Sequence, residues 1–181
     1  MATHVAFLRG MNLGNRRIKN DDLRATFETL GFDDVATFRA SGNVVFDAGD
    51  ERDEGALTEQ LEFGLEKALG YAVPVFIRGC AEVREIAARE PFPAAEVAKS
   101  KGKLQVSLLG AKPSAKAKRQ ALALAGDEDL LAVEGRELYW LPSGGISESE
   151  LDLKAISALL GPDTMRTMGT IEQIAAKHCG G

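Results

Sequence analysis

The run Val5-Ala6-Phe7-Leu8, followed by Arg9-Gly10-Met11-Asn12-Leu13-Gly14-Asn15-Arg16-Arg17-Ile18-Lys19, decides how the rest of the chain is read. Four consecutive apolar residues ahead of a glycine-containing loop read as a short buried strand, beginning at His4. The loop from Gly10 to Gly14 leads into a helix. Asn20 is its expected N-cap, and Asp21 and Asp22 put negative charge beside the unpaired amides of the first turn. Leu23, Phe27 and Leu30 recur at helical spacing until Gly31 stops the helix.

Working outward, Val35 to Ala40 and Asn43 to Phe46 are β-rich runs around Ser41-Gly42, the pattern of a hairpin. A helix from Ala56 to Leu69 carries Leu57, Leu61, Leu65 and Leu69 on one stripe, and a strand follows at Val73 to Ile77 with Pro74 near its start. The order is β-α-β-β-α-β. A connecting helix, Ala81 to Arg89, is stopped by Pro91 and Pro93, and the order then recurs. Leu104 to Leu109 is a strand, Ser114 to Ala125 a helix, and Leu130 to Val133 and Glu137 to Leu141 are strands around Glu134-Gly135-Arg136. A helix from Glu148 to Leu160 opens on a Ser147/Glu150 capping box, and Thr164 to Met168 forms the last strand. A second capping box, Thr170 with Gln173, opens a terminal helix.

The expected fold is therefore α+β: two tandem ferredoxin-like β-α-β-β-α-β units with antiparallel four-stranded sheets. The first covers residues 1–79. A connecting helix and loop cover 80–102, and the second unit with its terminal helix covers 103–181. Helices cover one face of each sheet, so the other face must meet something. Alternation places Ala6 and Leu8 on one side of the first strand and Val5, Phe7 and Arg9 on the other. If Phe38 and Phe46 face the helices, Arg39 and Asn43 face away from them. Val5 and Phe7 make the open face partly apolar, which suits a contact with the other unit or with a second copy in a homodimer.

Charge adds a local signal. The chain carries a net charge of −5, yet residues 1–20 hold Arg9, Arg16, Arg17 and Lys19 and no acid. Removing those four from the 22 basic residues leaves 18 against 27 acids. An acid-free segment in an acidic protein is either a local anion site or a solvated face. The overall acidity argues against a general nucleic-acid binder. No apolar run approaches the roughly 20 residues that span a bilayer, and the opening residues show no signal-peptide pattern. Two cysteines, Cys80 and Cys179, are too few for a disulfide framework, so a reducing cytoplasm is the expected location.

The candidate ligand-binding residues are Arg9, Gly10, Asn12, Arg39, Ser41 and Asn43. The glycines have two readings. They permit left-handed backbone in a loop and a hairpin, or they let amide N–H groups approach an anion while the arginines supply bidentate donors. Their spacing fits neither G-x-G-x-x-G nor a Walker A loop. An arginine leaving an apolar strand either anchors a carboxylate or carbonyl, or reaches a ligand. No metal site or cofactor is expected, since His178-Cys179 lies in the tail and no other Cys/His spacing helps. Cys80 reads as a small buried residue at a strand-to-helix junction, and no catalytic set is visible.

The chain resembles the domain-of-unknown-function 1697 family of mainly bacterial proteins. The likeness is carried by Phe7-Leu8-Arg9-Gly10-Met11-Asn12-Leu13-Gly14, Asp22-Leu23-Arg24, Leu30-Gly31-Phe32, Val35 through Arg39, and Ser41-Gly42-Asn43-Val44-Val45-Phe46. Weaker likenesses run through Val73-Pro74-Val75, Pro91-Phe92-Pro93, Leu141-Pro142 and Gly145-Ile146. The resemblance implies an α/β fold of ferredoxin-like character and no activity. Ser149-Glu150-Leu151 departs from the family's Ser-Lys-Leu, placing an acid at the lysine position, and Arg166-Thr167-Met168-Gly169-Thr170 departs from its Arg-Asn-Trp-Asn-Thr.

Three functional classes follow. The first is binding of a small anionic ligand at the N-terminal Arg/Gly/Asn cluster. The second is a structural or protein-interaction module using open sheet faces. The third, an RNA-recognition-like binder, is disfavoured because the hairpin lacks interleaved aromatics and the chain is acidic.

Overall fold

The computed structural model describes residues 1–11, 14–39, 42–51 and 53–180. The chain contains two four-stranded antiparallel sheets, with strands β1 (His4–Leu8), β2 (Asp33–Thr37), β3 (Asn43–Asp47) and β4 (Val75–Gly79) in the first and β5 (Gln105–Leu109), β6 (Leu130–Glu134), β7 (Glu137–Leu141) and β8 (Asp163–Thr167) in the second. Their spatial orders are β2-β3-β1-β4 and β6-β7-β5-β8, the same topology twice. The helices are α1 (Asn20–Thr29), α2 (Glu54–Leu69), α3 (Cys80–Ala88), α4 (Ala94–Lys99), α5 (Ala115–Leu122), α6 (Leu153–Leu160) and α7 (Met168–His178). The two expected ferredoxin-like units are present, including the last strand.

In the first unit, Ala6, Leu8, Val44, Phe46, Val75 and Ile77 pack with Leu23 and Phe27 of α1 and Leu57, Leu61 and Leu65 of α2. The leucines of α2 meet the sheet because their spacing of four keeps them on one stripe. Asp53 caps that helix by accepting from the amides of Gly55 at 2.8 Å and Ala56 at 3.2 Å. The registers Val5↔Val45, Val5↔Arg78, Phe7↔Asn43 and Phe7↔Phe76 place these residues on the opposite face, and all are buried within the chain. In the second unit Leu109, Val133 and Leu138 pack with Ala121 of α5 and Ile156 and Leu160 of α6.

The two sheets also repeat at the level of single side chains. Arg78 pairs with Val5, and Arg166 pairs with Val106 in the equivalent register. Each Nη1 donates to the carbonyl of the residue before it, Ile77 and Met165, both at 2.9 Å. Asn43 opposite Phe7 and Glu137 opposite Leu108 are a second matched pair, both buried polar groups.

Several local expectations change. Asn20 is the first helical residue of α1 and Lys19 its uncapped N-cap. The expected Ser147/Glu150 capping box gives way to a 3₁₀ turn, Ile146–Glu148, and α6 begins later under an Asp152 cap. Asp129 is the reason: its carboxylate accepts from the Ser143 amide and the Ser149 hydroxyl, which holds this segment out of a helix. The helix α4 follows the prolines that were expected to leave a loop.

Contacts divide the chain into one compact unit of Met1–Ile86 with Gln173–Gly181 and another of Ala87–Glu172. The end of α7, from Gln173, thus groups with the first unit rather than with the residues up to Glu172 that precede it in the chain. A disulfide between Cys80 and Cys179, 5.1 Å apart at Cα, is one reason. This corrects the reading of Cys80 as an unpaired buried residue and of His178-Cys179 as a loose tail, because sequence separation of 99 residues conceals the pairing.

Gly42 has φ +79°, and an added Cβ would lie 2.8 Å from Met11 Cγ and 3.2 Å from the Leu8 carbonyl oxygen. Gly42→Ala is expected to lose about 2–3 kcal/mol through left-handed strain plus this clash. Gly14→Ala, where φ is +59° and nothing lies within 4 Å, should lose only about 1 kcal/mol of strain; denaturant melts of the two variants check this. Tyr139 gives a second test. Its hydroxyl is buried, and burial, with Glu137 adding to it and the nearby Arg89 opposing it, pushes the phenol from 10.0 up to about 12. The unfolded chain ionises first, so stability present below pH 10 is lost as pH rises toward 12. Tyr139→Phe should abolish that alkaline loss, as read by melts across the range.

Candidate functional site

Three backbone hydrogen bonds bring the ends of four strands to one edge of the first sheet. Leu8 N donates to the Gly42 carbonyl at 2.8 Å, Arg9 N to Pro74 at 3.0 Å and Phe38 N to Asn43 at 2.9 Å. Arg9 leaves the end of β1 here, and Arg39 leaves the end of β2. Because β3 lies between them, their backbones are two strand spacings apart, about 10 Å. That gap lies within the combined reach of two arginine side chains.

Gly10, with φ 74°, turns the chain sharply after Arg9. The Arg9 side chain is exposed and has no acid or hydrogen-bond partner among the described residues. Arg16 lies over the Tyr71 ring, 4.5 Å from its centroid, which pins the cationic loop beside the segment leading into β4. Arg17 and Lys19 are exposed.

Arg39 occupies left-handed backbone, φ 59°, a conformation uncommon for a residue with a Cβ. The β2–β3 register shifts between Asp33 and Ala36, where Asp34 has φ 48°, and it sets Thr37 opposite Val44; ordinary alternation then puts Phe38 on the face of Asn43, so Phe38 does not join Phe46 under the helices. Its ring instead meets His178 edge-on, with centroids 6.1 Å apart. The Arg39 guanidinium sits 5.5 Å from the Phe38 centroid and donates through Nη2 to Gln173 Oε1 at 2.7 Å.

Asn43 is placed differently from its expected role. It is fully buried, and its Nδ2 donates to the Phe38 carbonyl at 2.9 Å, so it braces the hairpin from inside. Asn12 and Ser41 lie outside the described residues. The edge therefore brings together Arg9, Gly10 and Arg39, while Asn43 supports the backbone beneath them. Neither arginine is held by an acid among the described residues. Asp47 sits at the far end of β3, where it accepts from Gly49 N at 2.9 Å and lies 3.6 Å from the Met1 amine.

Residues of α7 at this edge went unnoticed in the sequence. Gln173, expected to serve a capping box, accepts from Arg39, while Thr167 Oγ1 accepts from the Thr170 amide at the helix start. Helical periodicity locates α7 but carries no signal for which strand end it meets. A separate cleft of about 490 Å³ in the second unit is lined by Asp127, Glu128, Asp129, Glu148 and Glu150. Its acidity makes it unsuited to an anion. No group of three His, Cys, Asp or Glu residues among the described residues is arranged to hold a metal.

A family described as "Protein of unknown function (DUF1697)" matches residues 1–139. The chain belongs to this family. The DUF1697 match includes β1, the glycine loop and the β2–β3 hairpin, which is where the candidate residues lie. A solved structure titled "The structure of conserved bacterial protein SP0830 from Streptococcus pneumoniae" is similar in fold, with a TM-score of 0.71 and 18% identity over 97% of each chain. No curated protein matches. The family and the neighbour establish the fold and assign no activity. No helix among the described residues is long and apolar enough to cross a membrane.

His178 offers a pH test of this edge. Burial, and then the neighbouring Lys177 charge, hold its imidazole below the ordinary value of 6.5, and Nε2 is buried without a partner among the described residues. The unfolded chain takes up the proton first, so the stability contributed by neutral His178 is present above pH 6.5 and lost as pH falls through the folded value. The NMR titration midpoint of His178 should lie below that of His-containing peptides, and the acid-side loss of stability should shrink in His178→Gln.

Proposed function

We propose that this protein binds a small anionic ligand, a carboxylate or phosphate, between the guanidinium groups of Arg9 and Arg39, beside the turn at Gly10. The observation that carries the reading is that two arginines share one sheet edge with no carboxylate between them among the described residues. The Arg39 partner is a neutral amide. Charge-assisted bidentate bonds to an anion are stronger than that bond, so a ligand can displace it. The acid-free cationic loop carrying Arg16 and Arg17 raises the local anion concentration. The proposed location is the cytoplasm.

Use of the sheet faces for a homodimer or another partner has less support. Val5, Phe7, Tyr139 and Trp140, the apolar residues that such an interface would need, are already buried within one chain. The same burial of Phe7 and Phe76 weighs against the RNA-recognition reading, which needs aromatics open to stacking.

The test is thermal unfolding with phosphate or citrate against chloride at matched ionic strength. A ligand at about 100 times its Kd contributes about 2.7 kcal/mol, a shift of several degrees for a chain this size. Arg9→Ala and Arg39→Ala should stay within about 0.5–1 kcal/mol of the parent without ligand and lose the ligand-induced shift. Arg24→Ala, on the exposed side of α1 where Arg24 bonds Glu28, should keep it. Equal shifts in the parent and both site variants would refute the site.

A further inference from the structure

We propose that the Cys80–Cys179 disulfide is a redox latch on the end of α7, and that reducing it makes Arg39 more available to the anion. The second half of this statement rests on the anion-site reading above; the latch does not.

Four contacts tie the end of α7 to the first unit. They are the disulfide, a hydrogen bond from Arg84 Nη1 to the Cys179 carbonyl, the Arg39–Gln173 bond and the Phe38–His178 ring contact. Ile174 and Ala175 are the buried apolar residues in this half of the helix, and Gln173, Ala176 and Lys177 are exposed. Without the covalent tie, the last turn keeps the packing of Ala175 and, among the described residues, one carbonyl bond and an edge-on ring contact, both of which compete with water. Such segments open locally ahead of the rest of a fold. Gln173 lies six residues, about one and two-thirds turns, before Cys179, so loosening of the helix end weakens the amide that competes with an anion for Arg39.

The chemistry is thiol–disulfide exchange with a dithiol reductant. One thiolate of the reductant attacks Cys179 Sγ, the protein S–S bond breaks, and Cys80 departs as a thiolate and takes a proton from solvent. The second reductant thiol then attacks the mixed disulfide, releasing Cys179 as a thiol and the reductant as a disulfide. Two electrons pass to the protein. Cys80 is the first residue of α3, and a helix N-terminus stabilises a thiolate, which favours Cys80 as the leaving group. Both sulfurs are in residues less than 10% exposed, Cys80 at 8% and Cys179 at 2%, so exchange proceeds through the opened turn and is slower than at an exposed disulfide.

The experiment uses the full chain, oxidised and after treatment with dithiothreitol, with alkylation confirming zero and two free thiols. Loss of thermal stability on reduction follows from any disulfide, so the pattern of hydrogen exchange decides. Amides from Ala176 to Gly180 should exchange at least tenfold faster after reduction, and in Cys80→Ser without reductant, while β1 and α2 stay unchanged. No change, or an equal increase in every peptide, would overturn the latch. For the second half, inorganic phosphate should bind the reduced protein at least threefold more tightly, and oxidised Gln173→Ala should reproduce that gain. Equal affinity in both redox states would overturn the coupling to Arg39. If neither state binds phosphate, the anion-site reading fails along with the coupling, and the exchange pattern still decides the latch.

Discussion

The burial of β1 on both faces is the constraint from which the rest of the first unit follows. All five of its residues are buried, and it hydrogen-bonds to β3 on one side and β4 on the other. A strand in that position tolerates no charge along its length, so the first arginine appears only after Leu8, where the sheet ends. The chain must then turn at once, and Gly10 in left-handed backbone makes the turn. The hairpin is held to the same edge by the bond between Leu8 and Gly42. Placement of Arg9 beside the β2–β3 turn is thus a consequence of packing a two-sided apolar strand.

The second unit meets the same constraint with similar residues. Arg78 and Arg166 occupy equivalent registers, and each turns back onto the carbonyl before it. Removing a guanidinium from water is unfavourable unless its donors are bonded, and a backbone carbonyl one residue away is an acceptor that both strands supply. Asn43 and Glu137 show the same placement with different chemistry. The repeat is one of positions that tolerate a polar group, beyond the repeat of topology.

The redox chemistry and the candidate site meet at α7. The disulfide carries the end of a helix that follows β8 in sequence to a compact unit built mainly from the first 86 residues. That helix end supplies Gln173 to Arg39 and His178 to Phe38. In the second unit, Glu150 lines an acidic cleft. The first unit thus carries a cationic β1 edge and the second an acidic cleft.

Much of the fold was legible in the residues alone. The four-residue apolar run, the leucine stripe of α2 and the twofold recurrence of β-α-β-β-α-β depend on local periodicity, and periodicity survives into the folded state because each element buries one face. The arginines at the strand ends were legible for the same reason. Asn43 was not, since whether an amide faces solvent or a carbonyl across a hairpin depends on a turn in which Arg39 takes φ 59°. Nor was the Ser147/Glu150 segment, because Asp129, distant in sequence, competes for Ser149. The pairing of Cys80 with Cys179 and of Arg39 with Gln173 joins residues 99 and 134 positions apart. Local sequence determines which elements form; contacts over such distances exist only once the chain has closed, and the tertiary structure alone decides them.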